Sequence, residues 1–260
     1  MGKEWLEGPV CWTVELTGRP YSLTPVGRRA LRELFKKVVK AEEAWPSKQT
    51  RVLDGYRLVP PEGIEELREK LGDRNFVFAV NHLGRCPAGA VGNAIYTNYC
   101  IKTATGREPR LVLGRARTIV HSIRDEISQS TKFILTDGGI AEILQEVDKG
   151  ECVGIYPEGG NSCALNKGSF KTGRFLYHVA ERGIPVVCLG VVFRDRTFLG
   201  KIGLTADLDA IRELGSSSED KRETGQRVVD YVMGELAKLL PEELHGYYRR
   251  AAATGVAAEV

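Results

Sequence analysis

The chain reads as an α/β protein with a mixed, mostly parallel central sheet flanked by helices, and three observations carry that reading. Two strand-length apolar runs, FVFAV at 76–80 and CVGIY at 152–156, each stop at residues that punctuate loops, Asn81-His82-Leu83-Gly84 and Pro157-Glu158-Gly159-Gly160. A third run, 184–193, is the longest apolar stretch in the chain, and its β-branched content predicts a strand buried on both faces. Segments with helical spacing lie between these runs, and strands that alternate with helices build parallel sheets.

The elements follow in order. Residues 1–23 have little periodicity and read as an irregular lead-in. Thr24 supplies an N-cap and Pro25 a first helical position, after which Leu31, Leu34, Phe35, Val38 and Val39 form an apolar stripe opposite Arg28, Arg29, Arg32, Lys36, Lys37 and Lys40. Such a basic amphipathic helix either lies in the headgroup plane of an anionic membrane or packs its stripe on the core with a solvated basic face. A strand is expected over 51–59, a short helix over 62–71, the strand at 76–80, and a small-residue-rich helix over 88–100. Strands at 110–114 and 133–135 enclose a helical pattern over 118–128. A helix over 138–147 then delivers the chain to the 152–156 strand.

Past the loop that holds Asn161, Ser162, Asn166 and Lys167, the residues Phe170, Phe175, Leu176, Val179 and Ala180 have helical spacing. Strand, glycine-rich loop and helix is the arrangement that presents backbone N–H groups to an anion. After the long apolar run, a weaker strand is expected at 201–205 and a loop at 215–218. Ser218 is the expected cap of a long helix through residue 240, with Val228, Val229, Val232, Leu236 and Leu239 inward and Pro241 as its breaker. The expected organisation is a lead-in and basic helix at 1–50, an α/β domain at 51–250 and a tail at 251–260.

Composition is that of a soluble globular protein: 260 residues, of which 42% are hydrophobic and 27% charged, support one large domain or a core with small appendages. No apolar run reaches the ~18 residues that span a bilayer, and residues 1–20 lack the apolar centre of a signal peptide, so a cytoplasmic chain is expected. Nucleic acid is not an expected partner. Cys11, Cys86, Cys100, Cys152, Cys163 and Cys188 show neither C-x-x-C nor metal-ligand spacing, so neither disulfides nor a metal site are expected.

If the runs at 76–80 and 152–156 are parallel neighbours, their carboxyl ends share the edge where α/β sheets place ligands, and His82 and Glu158 face one crevice. At this pair the sequence resembles the glycerolipid acyltransferases typified by 1-acylglycerol-3-phosphate acyltransferase. The resemblance runs over about 76–193 and rests on Asn81-His82, on Tyr156-Pro157-Glu158-Gly159-Gly160-Asn161-Ser162, on Lys167-Gly168-Ser169-Phe170-Lys171-Thr172-Gly173, and on Ile184-Pro185-Val186-Val187. Pro87 stands where the family's first motif carries Asp, and Asn161 where the third carries Arg.

The resemblance implies a glycerol-3-phosphate acyltransferase-like fold and an O-acyltransferase moving a fatty acyl group from an acyl thioester, acyl-CoA or acyl-carrier protein, to a hydroxyl of a lysophospholipid or related glycerolipid. No bound cofactor is implied, and the expected location is cytoplasmic, peripheral on the inner face of the membrane. His82 is the implied catalytic base, since imidazole suits proton removal near neutrality. Glu158 is implied as the second catalytic-site residue, helping to bind the acceptor, with Asn81, Gly159, Gly160, Asn161, Ser162, Lys167 and Lys171 as substrate-binding residues. Asp137, Arg85 and Arg115 are further candidates for the roles of the missing Asp and Arg. One alternative is a catalytically degraded member that binds lipid or a partner. A second is a cysteine-dependent acyl transferase or hydrolase with Cys86 as nucleophile.

Overall fold

The computed structural model describes residues 51–53, 56–71, 74–83, 89–107, 109–114, 133–136, 139–159 and 164–249. Chain order is β1 (Arg51–Leu53), β2 (Tyr56–Leu58), α1 (Ile64–Leu71), β3 (Val77–Val80), α2 (Gly89–Thr105), β4 (Arg110–Gly114), β5 (Phe133–Thr136), α3 (Ile140–Asp148) and β6 (Val153–Ile155). Then come α4 (Phe170–Glu181), β7 (Val186–Arg194), β8 (Thr197–Thr205), α5 (Leu208–Ser216), α6 (Lys221–Ala237) and two 3-10 turns, Glu242–Leu244 and Gly246–Tyr248.

These strands form one sheet in the order β1-β2-β8-β7-β3-β6-β4-β5. From β7 to β5 every neighbouring pair is parallel, as is β2 with β8; β1 with β2 and β7 with β8 are antiparallel. The fold is therefore α/β with a mixed, mostly parallel sheet flanked by helices, as the apolar runs predict.

Each central strand is apolar throughout because both of its faces are covered. Val77 and Ala79 of β3 join the cluster under α3, α4, α5 and α6, whereas Phe78 and Val80 join the cluster under α1 and α2. β7 divides in the same way, Val186 and Cys188 against Val187, Leu189 and Val191, all essentially without solvent exposure. Burying a side chain of this size contributes about 1.5–3 kcal/mol, so these alternating pairs fix the register of the sheet.

The helical layer is pinned by one close approach. A Cβ on Gly173 of α4 would lie 1.7 Å from the carbonyl oxygen of Gly225 in α6, and one on Gly225 would lie 2.4 Å from that of Phe170. Only glycine allows these two backbones to meet, and their crossing sets where α4 begins. Gly168, just ahead of α4, is likewise filled by Val229 and Tyr248.

Several expectations are corrected. The strand expected over 51–59 is a pair, β1 and β2, antiparallel with Val52 opposite Arg57. The helix expected from 62 starts at Ile64, because Glu62 bridges to Lys201 and Gly63 takes φ +86°. The helix expected over 88–100 runs on to Thr105. The weak strand at 201–205 is the nine-residue β8, turned back from β7 by Asp195 and Arg196 at φ +48° and +57°. Gly215 and Ser216 belong to α5, whose N-cap Asp207 accepts from Asp209 and Ala210 N–H. The cap of α6 is Asp220, which accepts from Arg222 N–H, while Ser218 accepts from Asp220 N–H. The lead-in and basic helix at 1–50, the pattern at 118–128 and the tail at 251–260 lie outside the described residues. Among the described residues no helix is long and apolar enough to cross a membrane.

Candidate functional site

β3 and β6 are parallel neighbours with Ala79 opposite Ile155, so the residues that leave them emerge on the same sheet edge. Asn81 leaves β3 first and is buried. Its side-chain amide donates to Val191 carbonyl at 2.9 Å and its Oδ1 accepts from Val191 N–H at 2.7 Å, which locks the end of β3 onto β7. Its own carbonyl accepts from Asn93 Nδ2 of α2 at 2.9 Å. Asn81 is thus a strand-end clasp that also lines the crevice described next.

His82 and Glu158 meet in one crevice, lined by Asn81, His82, Leu83, Glu158, Ala164, Leu165 and Leu244. They meet through a backbone: His82 N–H donates to Glu158 Oε1 at 2.9 Å. The other carboxylate oxygen, Oε2, accepts from Asn166 N–H at 3.1 Å. Glu158 is buried, at 8% exposure, with a backbone donor on each oxygen. It acts as a brace between the loop after β3 and the loop before α4.

The His82 imidazole has no such provision. Its ring stands 4.5 Å from the Tyr156 ring, tilted by 46°, and Nδ1 is buried without a hydrogen-bond partner among the described residues. Burial lowers its pKa from 6.5 to about 4, so the ring is neutral at neutral pH. Tyr156, at the end of β6, has its hydroxyl pushed up to about 12 by burial, and it donates to Thr97 Oγ1 of α2 over a long 3.5 Å.

Two of the N–H groups expected to face an anion near Gly168 are engaged within the fold. Gly168 N–H donates to the Tyr248 hydroxyl at 2.7 Å and Ser169 N–H to Pro157 carbonyl at 2.9 Å, so both donors are spent on the fold. Lys167 and Lys171 are exposed; Lys167 Nζ lies 5.5 Å above the Tyr247 ring, and neither lysine lines the crevice. Gly159 is exposed at φ +67°, a turn position. Gly160, Asn161, Ser162, Arg85, Cys86, Pro87, Arg115 and Asp137 lie outside the described residues.

His245 lies between the two 3-10 turns with Nε2 at 2.8 Å from Leu240 carbonyl. His178 pairs with Glu181 on the surface of α4. Cys100, Cys152 and Cys188 are buried thiols whose pKa burial raises, which makes them poor nucleophiles. The described residues contain no cluster of three metal-ligating side chains.

Sequence reasoning missed the far wall of the crevice. Leu165 N–H donates to Leu244 carbonyl and Tyr247 N–H to Leu165 carbonyl, both at 2.9 Å, so the 3-10 segment lies against the loop before α4. Nothing local in the sequence marks a contact across some eighty positions. The chain matches no protein-family model, and no curated protein is significantly similar to it.

Proposed function

We propose that this protein is an O-acyltransferase that moves a fatty acyl group from an acyl thioester to a hydroxyl of a lysophospholipid or related glycerolipid, with His82 as the base. The observation that carries the reading is the meeting of His82 with Glu158 across 76 residues at one sheet edge, in the motif order the acyltransferase resemblance requires. Nδ1 is the buried ring nitrogen, which leaves Nε2 for the substrate. In the step, Nε2 takes the hydroxyl proton as the alcohol oxygen bonds to the thioester carbonyl. The carbon–sulfur bond then breaks and the thiolate leaves with that proton. Glu158 serves by holding the His82 backbone.

The test is turnover of acyl-CoA and of acyl-carrier protein thioesters with lysophospholipid acceptors. His82→Ala lowers transfer at least ~100-fold, the low end for loss of a general base. Undiminished transfer in that variant overturns the assignment, and equal loss in Cys86→Ser moves it to the cysteine reading. Membrane contact belongs to the same proposal, through the basic helix expected over 24–40. Flotation with anionic vesicles falls when Arg28, Arg29, Lys36 and Lys37 become Glu; a wild type that ignores such vesicles at low salt removes the contact.

One observation favours a second reading, a degraded member that binds lipid or a partner without turnover. With no acceptor on Nδ1 among the described residues, none of them holds the reactive tautomer or the imidazolium in place, and an orienting carboxylate in another fold is worth about 10⁴ in rate. Binding of a lysophospholipid without thioester consumption selects that reading.

A further inference from the structure

The crevice is closed by a segment far from its motifs. The 3-10 segment 242–249 contributes Leu244 to the lining, and its end is anchored beneath the loop 164–169 by a buried polar cluster. Tyr248 is fully buried, and its hydroxyl donates to Asp230 Oδ1 of α6 at 2.6 Å while accepting Gly168 N–H at 2.7 Å. Gln226, one turn before Asp230, donates from Nε2 to that same oxygen at 2.9 Å and to Gly168 carbonyl at 3.2 Å. Both backbone groups of Gly168 are therefore held by α6 and the C-terminal segment.

The anchoring continues to the backbone of His82 one bond at a time. Leu165 is tied on both sides to Leu244 and Tyr247, Asn166 N–H holds Glu158 Oε2, and Glu158 Oε1 holds His82 N–H. A side-chain network in an apolar layer has two outcomes: satisfied, it rigidifies; deprived of one member, it leaves a buried carboxylate and a buried N–H short of a partner.

We propose that Tyr248, seated on Asp230, is a positioning residue for the His82–Glu158 crevice, and that the segment 242–249 is a strap that sets the aim of His82 from behind. The strap makes the site a product of both ends of the α/β unit. It explains why Gly168 and Ser169 present no free N–H to an anion: those donors hold the loop instead. It also gives Asp230, an acid sunk in an apolar helix layer, a role in the site rather than in the packing alone.

The proposal rests on the reading of this crevice as the functional one, and its test needs no substrate. Amide hydrogen exchange is measured on the full chain for His82, Asn166 and Val77, whose N–H donates to Pro185 carbonyl within the sheet. Tyr248→Phe speeds exchange at His82 and Asn166 by about tenfold, the weight of one lost hydrogen bond, while Val77 keeps its protection. The His82 ring signal, identified by its disappearance in His82→Ala, titrates closer to 6.5 as water reaches it. Asp230→Asn, which retains the acceptor for Tyr248, stays near wild type in both readouts. Should Tyr248→Phe not fold, Gln226→Leu gives the same local effect at smaller size. Equal acceleration at all three amides, or none at His82 and Asn166, overturns the strap. A shift of exchange in a chain that transfers no acyl group keeps the strap and removes the transferase. Transfer abolished by His82→Ala with exchange unmoved by Tyr248→Phe does the reverse.

Discussion

The two strand ends that build the crevice treat their polar side chains in opposite ways. At the end of β6, Glu158 is buried and each carboxylate oxygen has a backbone donor. At the end of β3, the His82 imidazole is buried at Nδ1 without a partner among the described residues, and its pKa is driven down to about 4. A polar group kept for the fold is satisfied on every side, because an unmet buried donor or acceptor costs about 1–3 kcal/mol. A polar group left unmet beside it lowers stability, and that cost is the mark of a group held for something other than the fold. By this contrast Glu158 is a brace, and His82 is the group to which the proposed function assigns the chemistry.

The contrast is broken most forcefully at Glu158. Glu158→Ala leaves two backbone N–H groups without acceptors and detaches the loop before α4 from the loop after β3. At about 1–3 kcal/mol for each of the two orphaned donors, the loss is about 2–6 kcal/mol, on the order of 10 °C in Tm for a chain of this size. Glu158→Gln recovers part of it, since an amide oxygen accepts one of the two N–H groups. Thermal unfolding by circular dichroism checks this. A Glu158→Ala chain that melts with the wild type shows that the carboxylate is not a brace, and the division between the two strand ends fails with it.

How legible this was depends on how far apart the partners lie. The strands at 76–80, 110–114 and 152–156 announce themselves as bounded apolar runs, and the parallel-neighbour rule then brings His82 and Glu158 to one edge, as found. The β7–β8 turn was hidden because Asp195 and Arg196 adopt positive φ without glycine. The role of Glu158 was illegible for a different reason. A glutamate in a loop looks the same in sequence whether it faces a substrate or two backbone N–H groups, and the second of those donors, Asn166, carries no motif weight. Gly168 and Gly173, which enter the sequence reading through the family motif, have surroundings that show them making room for Val229, Tyr248 and Gly225. The Tyr248–Asp230 pair left no trace at all, since each lies in an unremarkable helical or polar context and only the tertiary fold joins them.

The smaller effect is carried by His82 itself and depends on pH. Its folded pKa, about 4, lies below the ordinary 6.5, so the neutral ring is the form the fold accommodates. Above pH 6.5 the ring is neutral in both the folded and unfolded chain, and this contribution is fully retained. Below 6.5 the unfolded chain takes up a proton that the folded chain refuses, so stability falls as pH drops from 6.5 towards 4 and levels off beneath it. At about 1.4 kcal/mol per pH unit the fall amounts to roughly 3 kcal/mol. His82→Phe tests its source: an apolar ring has no unmet nitrogen, so at pH 7.5 the variant unfolds within about 1 kcal/mol of the wild type. On acidification it escapes the part of the loss that belongs to His82, and the stability gap between the two chains widens in the variant's favour from pH 6.5 to pH 4. Urea unfolding of both chains across that range measures the gap directly. A gap that stays constant with pH means that the imidazole is as readily protonated in the fold as out of it. The contrast between a satisfied β6 end and an unsatisfied β3 end would then lose its second member.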